Sequence, residues 1–533
     1  MNLSIQIAQL NFLVGDIEGN AQRVIDVAQA AQPDLQAIVF PELALTGYPP
    51  EDLLLRDDFI ERVELALKQV QAASGETHLI LGYPRRVGNH LFNMAGVFSN
   101  GEIITEYQKQ LLPNYSVFDE KRYFTSGNQA VTFELHGVRA GITICEDIWS
   151  PGPATMACAA GARLLFNLNA SPFHAGKAPE RESLVRRRAR EVGTPIIYAN
   201  LVGGQDELVF DGGSFVVNAR GELIQRLPFY SEAQAIVELE LNTVPEPQMG
   251  VIAPHLSEEA AIYQALVIGI RDYVKKNGFN GAIVGLSGGI DSALTVALAV
   301  DALGKDHVEV VMMPSRYTSD MSNDDAEEEA QALGVMHRSI PIEPAFRAFT
   351  EMLAEEFAGQ PVDVTEENIQ ARCRGIILMA ISNKKGRILL TTGNKSEMSV
   401  GYATLYGDMA GGFAPIKDVP KTMVYRLCRY RNTLSPVIPQ RVIERPPSAE
   451  LAPDQKDSDS LPDYEVLDPI LEGYVEKDQS PEDIIAAGFD PDTVKRIVRM
   501  VDRNEYKRRQ APPGVKITRR AFGRDRRYPL TCG

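Results

Sequence analysis

One glycine-rich turn constrains this chain more than any other feature. Residues 285–292, GLSGGIDS, follow the apolar run Ala282-Ile283-Val284 and precede ALTVALAVDALG, which has the pattern of a helix. Glycines permit positive φ angles and a close approach of the backbone to a ligand, and a helix N-terminus presents free N–H groups with a positive dipole. The segment therefore predicts a strand–turn–helix unit that binds an anion.

Asp291 is the unusual residue of this turn, because a carboxylate repels phosphate unless a cation lies between them. Mg²⁺ is the usual cation in such sites. Ser287 and Ser292 add hydroxyl donors, and the turn lacks the Gly-Lys-Ser/Thr ending of kinase-type phosphate loops. We therefore expect the turn to bind the phosphates of a nucleotide together with a metal ion.

The second half of the chain, residues 257–533, alternates strand and helix patterns. Ser257 is a suitable N-cap for a helix, and two glutamates follow it. Strands separated by helical patterns are predicted at GAIVGL, VEVVMMP, RSIPI and RILLTT. This alternation is typical of a doubly wound parallel sheet. Residues 450–463, ELAPDQKDSDSLPD, are polar and acidic and predict a loop.

The first half, residues 1–245, mixes helices with hairpins. Strands are predicted at LSIQIAQL, LQAIVF, HLILGY, GVRAGITI, RLLFNL, PIIYANL and AIVELEL. Turn residues at 99–101, Ser-Asn-Gly, and at 218–221, Asn-Ala-Arg-Gly, predict two hairpins. The pattern favours a layered α/β domain. Residues 246–256 contain prolines and have no periodicity, and they are predicted to link the two domains.

Composition excludes several classes of protein. The 533 residues exceed the roughly 250–300 that one core accommodates, and the net charge of −17 argues against a nucleic-acid binder. The five cysteines form no CxxC pair, which disfavours a disulfide framework and favours a reducing cytoplasm. The N-terminal residues lack the basic region of a signal peptide, and no apolar run reaches the roughly 20 residues of a membrane span.

Three residues of the first half have side chains suited to amide hydrolysis. Glu42 follows a predicted strand in FPEL, Lys109 follows a hairpin in YQKQLLP, and Cys145 ends another strand in GITICED. Attack of a cysteine on an amide needs a thiolate, a base for the later attack of water, and a cation at the oxyanion. Residues at strand ends can converge on one rim of a sheet, so these three are candidates for such a site.

The order of these residues and the sequences around them resemble the nitrilase, or carbon–nitrogen hydrolase, superfamily. SGGIDS between a strand and a helix resembles the PP-loop of the ATP pyrophosphatases, in which AMP is transferred and pyrophosphate leaves. The two domains in this order resemble the fused, glutamine-dependent NAD⁺ synthetases. The resemblance extends to LPNY at 112–115, FDEKRYF at 118–124, TTGNKSE at 391–397 and YGDMAGGFAPIKDVPK at 406–421.

The resemblance implies an N-terminal α-β-β-α sandwich and a C-terminal doubly wound PP-loop domain. It implies that the first domain hydrolyses glutamine to glutamate and ammonia. The second would use ATP and Mg²⁺ to adenylate the nicotinate carboxylate of deamido-NAD⁺, which ammonia then converts to NAD⁺. Adenylation is chemically required because oxide is a poor leaving group. The family further implies a cytoplasmic homo-oligomer, either a dimer or an assembly of dimers, with no nucleic-acid or membrane partner.

Individual site residues also follow from the resemblance. Cys145 would be the nucleophile, Glu42 the general base and Lys109 the stabiliser of the oxyanion, with Glu120 as a supporting glutamate. The glutamine-binding positions are Tyr115, Ser171 and Lys177. The ATP-binding positions are Gly285, Leu286, Ser287, Gly288, Gly289, Ile290, Asp291, Ser292, Thr392, Lys421 and Ser448. The deamido-NAD⁺ contacts are Asn368, Glu397 and Lys507, and the metal ligands are Asp291 and Glu397.

One position departs from the family. Leu405 stands where ammonia-dependent relatives have a lysine, and Lys507 is our candidate for the missing charge. The basic residues of 507–527 either form a solvated face or face phosphates. Two other functions stay open: a different PP-loop ligase, and an amidase whose second domain only senses a nucleotide.

Overall fold

The computed structural model describes residues 2–453, 455, 457 and 461–531. The chain forms two compact units, Met1–His255 and Leu256–Gly533. Part of the predicted acidic loop at 450–463 lies outside the described residues. In the described part of the chain, no helix combines the length and the apolar character that crossing a membrane requires.

The first unit is built on two large sheets. Its strands are β1 (Asn2–Gln9), β2 (Ala37–Val39), β3 (His78–Val87), β4 (His90–Ser99), β5 (Glu102–Gln108), β6 (Thr132–Leu135), β7 (Val138–Ile144), β8 (Leu164–Asn169), β9 (Ile196–Asn200), β10 (Val202–Gln205), β11 (Leu208–Asp211), β12 (Phe215–Val217), β13 (Leu223–Arg226), β14 (Ala233–Glu240) and β15 (Glu246–Pro247). Its helices are α1 (Ile17–Gln29), α2 (Asp57–Ala73), α3 (Pro151–Ala159) and α4 (Lys177–Val192). The seven-stranded sheet has the order β15-β14-β1-β2-β3-β4-β5, the six-stranded sheet has the order β13-β12-β9-β8-β7-β6, and β10 pairs with β11.

Alternating side chains make the two sheets into the inner layers of a sandwich. Leu3, Ile5 and Ile7 of β1 join Ile142 and Ile144 of β7 in one core between the sheets. The opposite face of the seven-stranded sheet packs against α1 and α2, and that of the six-stranded sheet packs against α4. The period of two along each strand thus buries both faces of both sheets. This confirms the predicted α-β-β-α sandwich.

Both predicted hairpins are present, since β4 pairs antiparallel with β5 and β12 with β13. Residues 246–256, predicted to be a linker, differ from that prediction in their first part. β15 pairs with β14, and the backbone N–H of Ala253 donates to Arg226 O at 2.9 Å. The prolines of this segment suggested a break in structure, but an edge strand tolerates proline because only one of its two sides is paired.

The described residues of the second unit form one parallel sheet of four strands. Its strands are β16 (Ala282–Gly285), β17 (Val308–Met312), β18 (Met336–Ser339) and β19 (Ile388–Leu390). Its helices are α5 (Glu258–Lys276), α6 (Ile290–Leu303), α7 (Asp320–Leu333), α8 (Glu343–Met352), α9 (Val364–Lys385), α10 (Lys395–Val400), α11 (Lys421–Leu434), α12 (Gln440–Glu444), α13 (Tyr464–Leu471), α14 (Pro481–Ala486), α15 (Pro491–Arg503) and α16 (Glu505–Arg508). The strand order is β18-β17-β16-β19, with parallel pairing throughout.

The strand order explains where a ligand can bind in this unit. The chain runs from β16 outward to β17 and β18, and then returns to β19 on the other side of β16. Ligands of doubly wound sheets bind at the carboxyl ends of the strands where the order reverses in this way. The strand predicted at RSIPI lies earlier in the chain and begins at Met336. All four residues of this edge strand are exposed, so no apolar pattern could locate it.

The basic C-terminal segment is folded into the second unit. Arg508, Lys516 and Arg526 are at most 5% exposed. Arg508 and Arg526 both pair with Glu505, at 2.9 and 3.0 Å, and Lys516 pairs with Asp525 at 3.0 Å. The basic residues were predicted to form either a solvated face or a phosphate site. Both alternatives are wrong for these three residues, because their side chains stabilise the fold.

Lys395, the first residue of α10, is one of the points at which this segment is attached. Its Nζ atom lies 2.7 Å from Thr518 Oγ1, 2.7 Å from a Glu476 oxygen and 2.9 Å from an Asp418 oxygen. Lys395 is 2% exposed, so this network is sealed from solvent. The segment therefore buttresses the helix that carries Glu397.

Candidate active sites

Glu42, Lys109 and Glu120 meet inside the first unit. Lys109 Nζ donates to Glu42 Oε1 at 2.7 Å and to both carboxylate oxygens of Glu120 at 2.8 Å. Glu42 follows the short strand β2, and Lys109 follows β5 of the same sheet. The three side chains are 7% exposed or less. One ammonium group thus lies between two carboxylates in a site with little solvent.

Other buried donors hold the two carboxylates in place. Asn93 Nδ2 donates to Glu42 Oε1 at 2.7 Å, and the backbone N–H of Ala170 donates to Glu42 Oε2 at 3.0 Å. Tyr48 Oη donates to Glu120 Oε1 at 2.9 Å. Sequence reasoning missed Asn93 and Tyr48, because no local spacing separates them from ordinary buried polar residues.

The electrostatics of this site follow from burial and from the excess of acidic groups. Burial lowers the pKa of Lys109, but Glu120 and Glu42 outweigh it and raise that pKa well above its usual value. Burial raises the pKa of Glu120 to about 7, against the opposing effect of Lys109. Lys109 is therefore a permanent cation, which suits the stabilisation of an oxyanion.

Cys145 begins a tight turn at the end of β7. Its φ angle of 43° is unusual for a residue other than glycine, and strain of this kind is typical of functional positions. The thiol is 6% exposed. Burial and the charge of Glu42 raise its pKa well above the usual value, and Lys109 only partly opposes them. The resting residue is therefore a thiol, so a base must remove its proton during the reaction.

The predicted glutamine-binding residues surround this turn. Tyr115 Oη donates to Glu146, the neighbour of Cys145, at 3.0 Å. Lys177 Nζ lies 3.7 Å above the ring of Trp149, which ends the turn. Tyr115 is 56% exposed, whereas Lys177 is largely buried, and this burial lowers the pKa of its ammonium group.

Ser171, the third predicted residue, is attached to a buried ion pair. Its backbone N–H donates to Asn200 Oδ1 at 3.0 Å, and Asn200 Nδ2 donates to Gly212 O at 3.0 Å. Arg181 donates to both carboxylate oxygens of Asp211, at 2.8 and 2.9 Å. Ser171 is thus positioned by a rigid polar network.

In the second unit, the turn of residues 285–292 lies at the carboxyl end of β16. Gly288 has φ +79°, and a Cβ atom at this position would lie 2.2 Å from Ser322 O, so only glycine fits. The hydroxyl oxygens of Ser287 and Ser292 are 3.1 Å apart, and Gly289 N donates to Ser287 Oγ at 3.2 Å. The hydroxyls therefore line the start of α6, where an anion would bind.

Lys421 lies between the two predicted metal ligands. Its Nζ atom contacts Asp291 Oδ2 and lies 3.2 Å from Glu397 Oε1, and it is buried. Asn394 Nδ2 donates to Asp291 Oδ1 at 2.9 Å. Burial lowers the pKa of Lys421, but Asp291 and Glu397 raise it above its usual value; burial also raises the pKa of Glu397 to about 8.

These two carboxylates fit a magnesium site. The described residues contain no cluster of three acidic, histidine or cysteine ligands. Mg²⁺ in nucleotide sites is typically held by one or two carboxylates together with phosphates and water. The Lys421 ammonium group lies between Asp291 and Glu397, so the two carboxylates already stabilise a cation at this place.

The remaining predicted residues lie in three places. Thr392 follows β19 at the same edge of the sheet as Gly285, whereas Ser448 is exposed in the loop after α12, where its hydroxyl donates to Gln455 O. Asn368 and Lys507 both bind the segment of residues 401–404. Asn368 Oδ1 accepts from Thr404 Oγ1 at 2.8 Å, and Lys507 Nζ donates to two carbonyl oxygens of the segment at 2.8 and 2.9 Å. This segment immediately precedes Leu405.

Sequence reasoning also missed two residues beside the turn of 285–292. Asn394 is the N-cap of α10, and its Oδ1 accepts from Glu397 N at 3.0 Å. The spacing Asn-x-x-Glu is a capping-box pattern and could have identified it. Arg445 donates to Gly288 O and to Ser322 Oγ, and no local pattern indicates this contact.

Two family models match the chain. The carbon–nitrogen hydrolase model matches residues 4–246, and the NAD synthase model matches residues 262–511. A curated glutamine-dependent NAD(+) synthetase from Acinetobacter baylyi is 48% identical over 100% of this chain and 99% of its own length. One from Aquifex aeolicus is 45% identical over 99% of each chain. A solved glutamine-dependent NAD⁺ synthetase from Acinetobacter baumannii, in complex with adenosine diphosphate, is 46% identical, with a TM-score of 0.82 over 99% of this chain and 98% of that one.

Proposed function

The chain belongs to the glutamine-dependent NAD(+) synthetases, and from this premise we propose how its residues divide the reaction. The enzyme is a carbon–nitrogen ligase that hydrolyses glutamine, adenylates deamido-NAD⁺ with ATP and amidates it to NAD⁺. We assign glutamine hydrolysis to residues 1–245 and NAD⁺ formation to residues 257–533. The extents of the two family models, 4–246 and 262–511, support this division.

In the first unit, Glu42 takes the proton of Cys145 as the sulfur attacks the carboxamide carbon of glutamine. The oxygen of that carboxamide becomes negative, and the Lys109 ammonium stabilises it. Glu42 then returns the proton to the leaving nitrogen, which departs as ammonia and leaves a thioester on Cys145. This role for Glu42 agrees with the raised pKa of the thiol, which has to be deprotonated in the presence of substrate.

Water completes the cycle at the same carbon atom. Glu42 removes a proton from water, the resulting oxygen attacks the thioester, and the sulfur of Cys145 leaves and regains a proton. Glutamate is released. Glu120 stays hydrogen-bonded to Lys109 throughout and keeps its ammonium aimed at the oxyanion. Tyr115, Ser171 and Lys177 bind the part of glutamine that does not react.

In the second unit, residues 285–292 with Thr392, Lys421 and Ser448 bind ATP. The nicotinate carboxylate of deamido-NAD⁺ attacks the α-phosphorus atom, and pyrophosphate leaves. Ammonia then attacks the activated carbonyl carbon, AMP leaves, and a proton is lost to give the amide. Asp291 and Glu397 would hold Mg²⁺, which when bound neutralises charge on the phosphates. Asn368, Glu397 and Lys507 bind deamido-NAD⁺.

Ammonia-dependent relatives have a lysine at the position of Leu405. In this chain another cation therefore has to balance part of the negative charge of deamido-NAD⁺. Lys507 donates to the two carbonyl groups at 401 and 403, so its charge lies next to this position. We also propose a cytoplasmic homo-oligomer, a dimer or an assembly of dimers. Light scattering on the purified protein tests the proposed oligomeric state. A mass of one chain, about 59 kDa, would contradict a homo-oligomer.

One observation carries this assignment: each unit contains its own cluster of one buried lysine and two carboxylates. The lysine is Lys109 in the first unit and Lys421 in the second. Cys145→Ala should abolish NAD⁺ formation from glutamine and leave formation from ammonia unchanged. Asp291→Ala should abolish NAD⁺ formation with both nitrogen donors.

The control is Cys158→Ala, on α3, which should leave both activities unchanged. Loss of ammonia-driven synthesis in Cys145→Ala would contradict two separate sites. Retained synthesis in Asp291→Ala would refute the metal assignment. Release of AMP and pyrophosphate should require deamido-NAD⁺; glutamine hydrolysis without any ATP cleavage in its presence would favour the nucleotide-sensing amidase.

A further inference from the structure

Asp147 is a fully buried carboxylate two residues after the nucleophile. It is 0% exposed. Each of its two oxygens accepts two hydrogen bonds. Oδ1 accepts from the backbone N–H groups of Gln110 at 3.1 Å and Leu111 at 2.8 Å; Oδ2 accepts from Ile144 N at 3.0 Å and Tyr107 Oη at 2.7 Å. Because every oxygen is occupied by protein donors, Asp147 does not bind substrate.

The four donors come from both sheets of the sandwich. Tyr107 is on β5 of the seven-stranded sheet, and Gln110 and Leu111 directly follow Lys109 after that strand. Ile144 is the last residue of β7, in the six-stranded sheet, and directly precedes Cys145. The buried apolar side chains that also pack between the sheets do not set the position of one polar atom relative to another.

We propose that Asp147 is a positioning residue that fixes the sulfur of Cys145 relative to the ammonium group of Lys109. One oxygen holds the chain just after Lys109, and the other holds the chain just before Cys145. The bond to Ile144 N also closes the turn in which Cys145 has its left-handed φ angle. Glutamine hydrolysis needs both groups at one carbonyl, so their separation controls the rate of acyl transfer.

The chemistry of the side chain makes this testable with a substitution of the same shape. A carboxylate offers acceptors to all four donors, whereas an amide offers one acceptor oxygen and an NH₂ group. In Asp147→Asn the amide oxygen can serve Gln110 and Leu111, and the NH₂ can donate to the hydroxyl oxygen of Tyr107. Ile144 N–H then faces a donor, so the tie to the Cys145 turn is lost while the tie to the Lys109 side stays.

The experiment uses the full-length enzyme and separates turnover from binding. For Asp147→Asn we expect kcat for glutamine hydrolysis to fall about 100-fold, as misplacement of a reacting group by about 1 Å does. The KM for glutamine should stay within about twofold, because the hydrogen bonds of this carboxylate involve neither Tyr115 nor Lys177. Alkylation of Cys145 by iodoacetamide, followed by mass spectrometry, should change in rate. Ammonia-driven NAD⁺ formation should be unchanged.

Asp26→Asn, on the exposed face of α1, is the matched control and should behave as wild type. A kcat within twofold of wild type in Asp147→Asn would overturn the proposal. A rise in KM that matches the fall in kcat/KM would also overturn it, because it would indicate a general loosening of the glutamine site.

Tyr107→Phe keeps the charge and removes a single donor. If Asp147→Asn does not fold, Tyr107→Phe tests the proposal in its place. We expect kcat to fall several-fold at constant KM, and an unchanged kcat would count against the proposal. Ammonia-driven synthesis in the same variant reports whether the second unit is intact, so a failure here is distinguishable from a failure of the assigned overall function.

Discussion

Glu329 provides a prediction whose magnitude follows from the structure. It lies on α7 in the second unit and is 0% exposed, and neither of its carboxylate oxygens has a hydrogen-bond partner among the described residues. Burial raises its pKa from 4.5 to about 8, while Arg431 lowers it and Asp325 raises it further. The folded chain therefore holds the neutral acid at pH 7, and the unfolded chain holds the carboxylate.

The sign of the effect follows from this difference. Because the pKa is higher in the folded state, the contribution to stability is complete below pH 4.5 and is lost as the pH rises through about 8. One pKa unit corresponds to about 1.4 kcal/mol, so the complete loss is roughly 5 kcal/mol. Between pH 6 and pH 9 the loss is about 2–3 kcal/mol. Glutamine has the same shape and does not ionise, so Glu329→Gln removes this dependence.

The assay is calorimetric unfolding of wild type and Glu329→Gln at pH 6 and pH 9. The transition of the second unit is identified by its shift with ATP. We expect the Tm of the variant, relative to wild type, to rise by roughly 5–10 °C between the two pH values. Glu328→Gln, exposed on the same helix, should show no such change. A Tm difference between Glu329→Gln and wild type that is the same at both pH values would refute the reasoning.

Two further predictions concern the two sites. Gly288→Ala should reduce the rate of NAD⁺ formation with either nitrogen donor by about 100-fold, because its Cβ would lie 2.2 Å from Ser322 O; a rate within twofold of wild type in steady-state assays would contradict this. Asp211→Asn should lower stability by about 3–5 kcal/mol, because it leaves the buried Arg181 without its anion. The Tm of the first unit, from calorimetry, would then fall by at least about 6 °C, and a fall below 2 °C would show that the pair is not stabilising.

The parts that local sequence could predict are those in which neighbouring residues carry the signal. The turn of 285–292 follows an apolar strand and precedes a helix, and the structure has the same order. Glu42, Lys109 and Cys145 were candidates because each lies at the end of a predicted strand or hairpin and has a side chain suited to amide hydrolysis. A strand was predicted at LSIQIAQL, and β1 (Asn2–Gln9) confirms it.

The parts that could not be predicted depend on contacts between distant residues. Tyr48 reaches Glu120 across 72 positions, and no spacing within either segment indicates the pair. The strand β15 was missed because proline usually interrupts pairing, and its place at the sheet edge became visible only in three dimensions. The burial of Arg508 likewise depends on Glu505 and on Phe522 further along the chain.

The attachment of Lys395 to Thr518 has a consequence for the order in which the enzyme matures. A ribosome synthesises the first unit before the second, so Cys145 and its partners can assemble early. The surroundings of Lys395, and with them the helix of Glu397, wait for Thr518, which lies 123 positions further along the chain. During translation the capacity to release ammonia therefore arises before the capacity to use it.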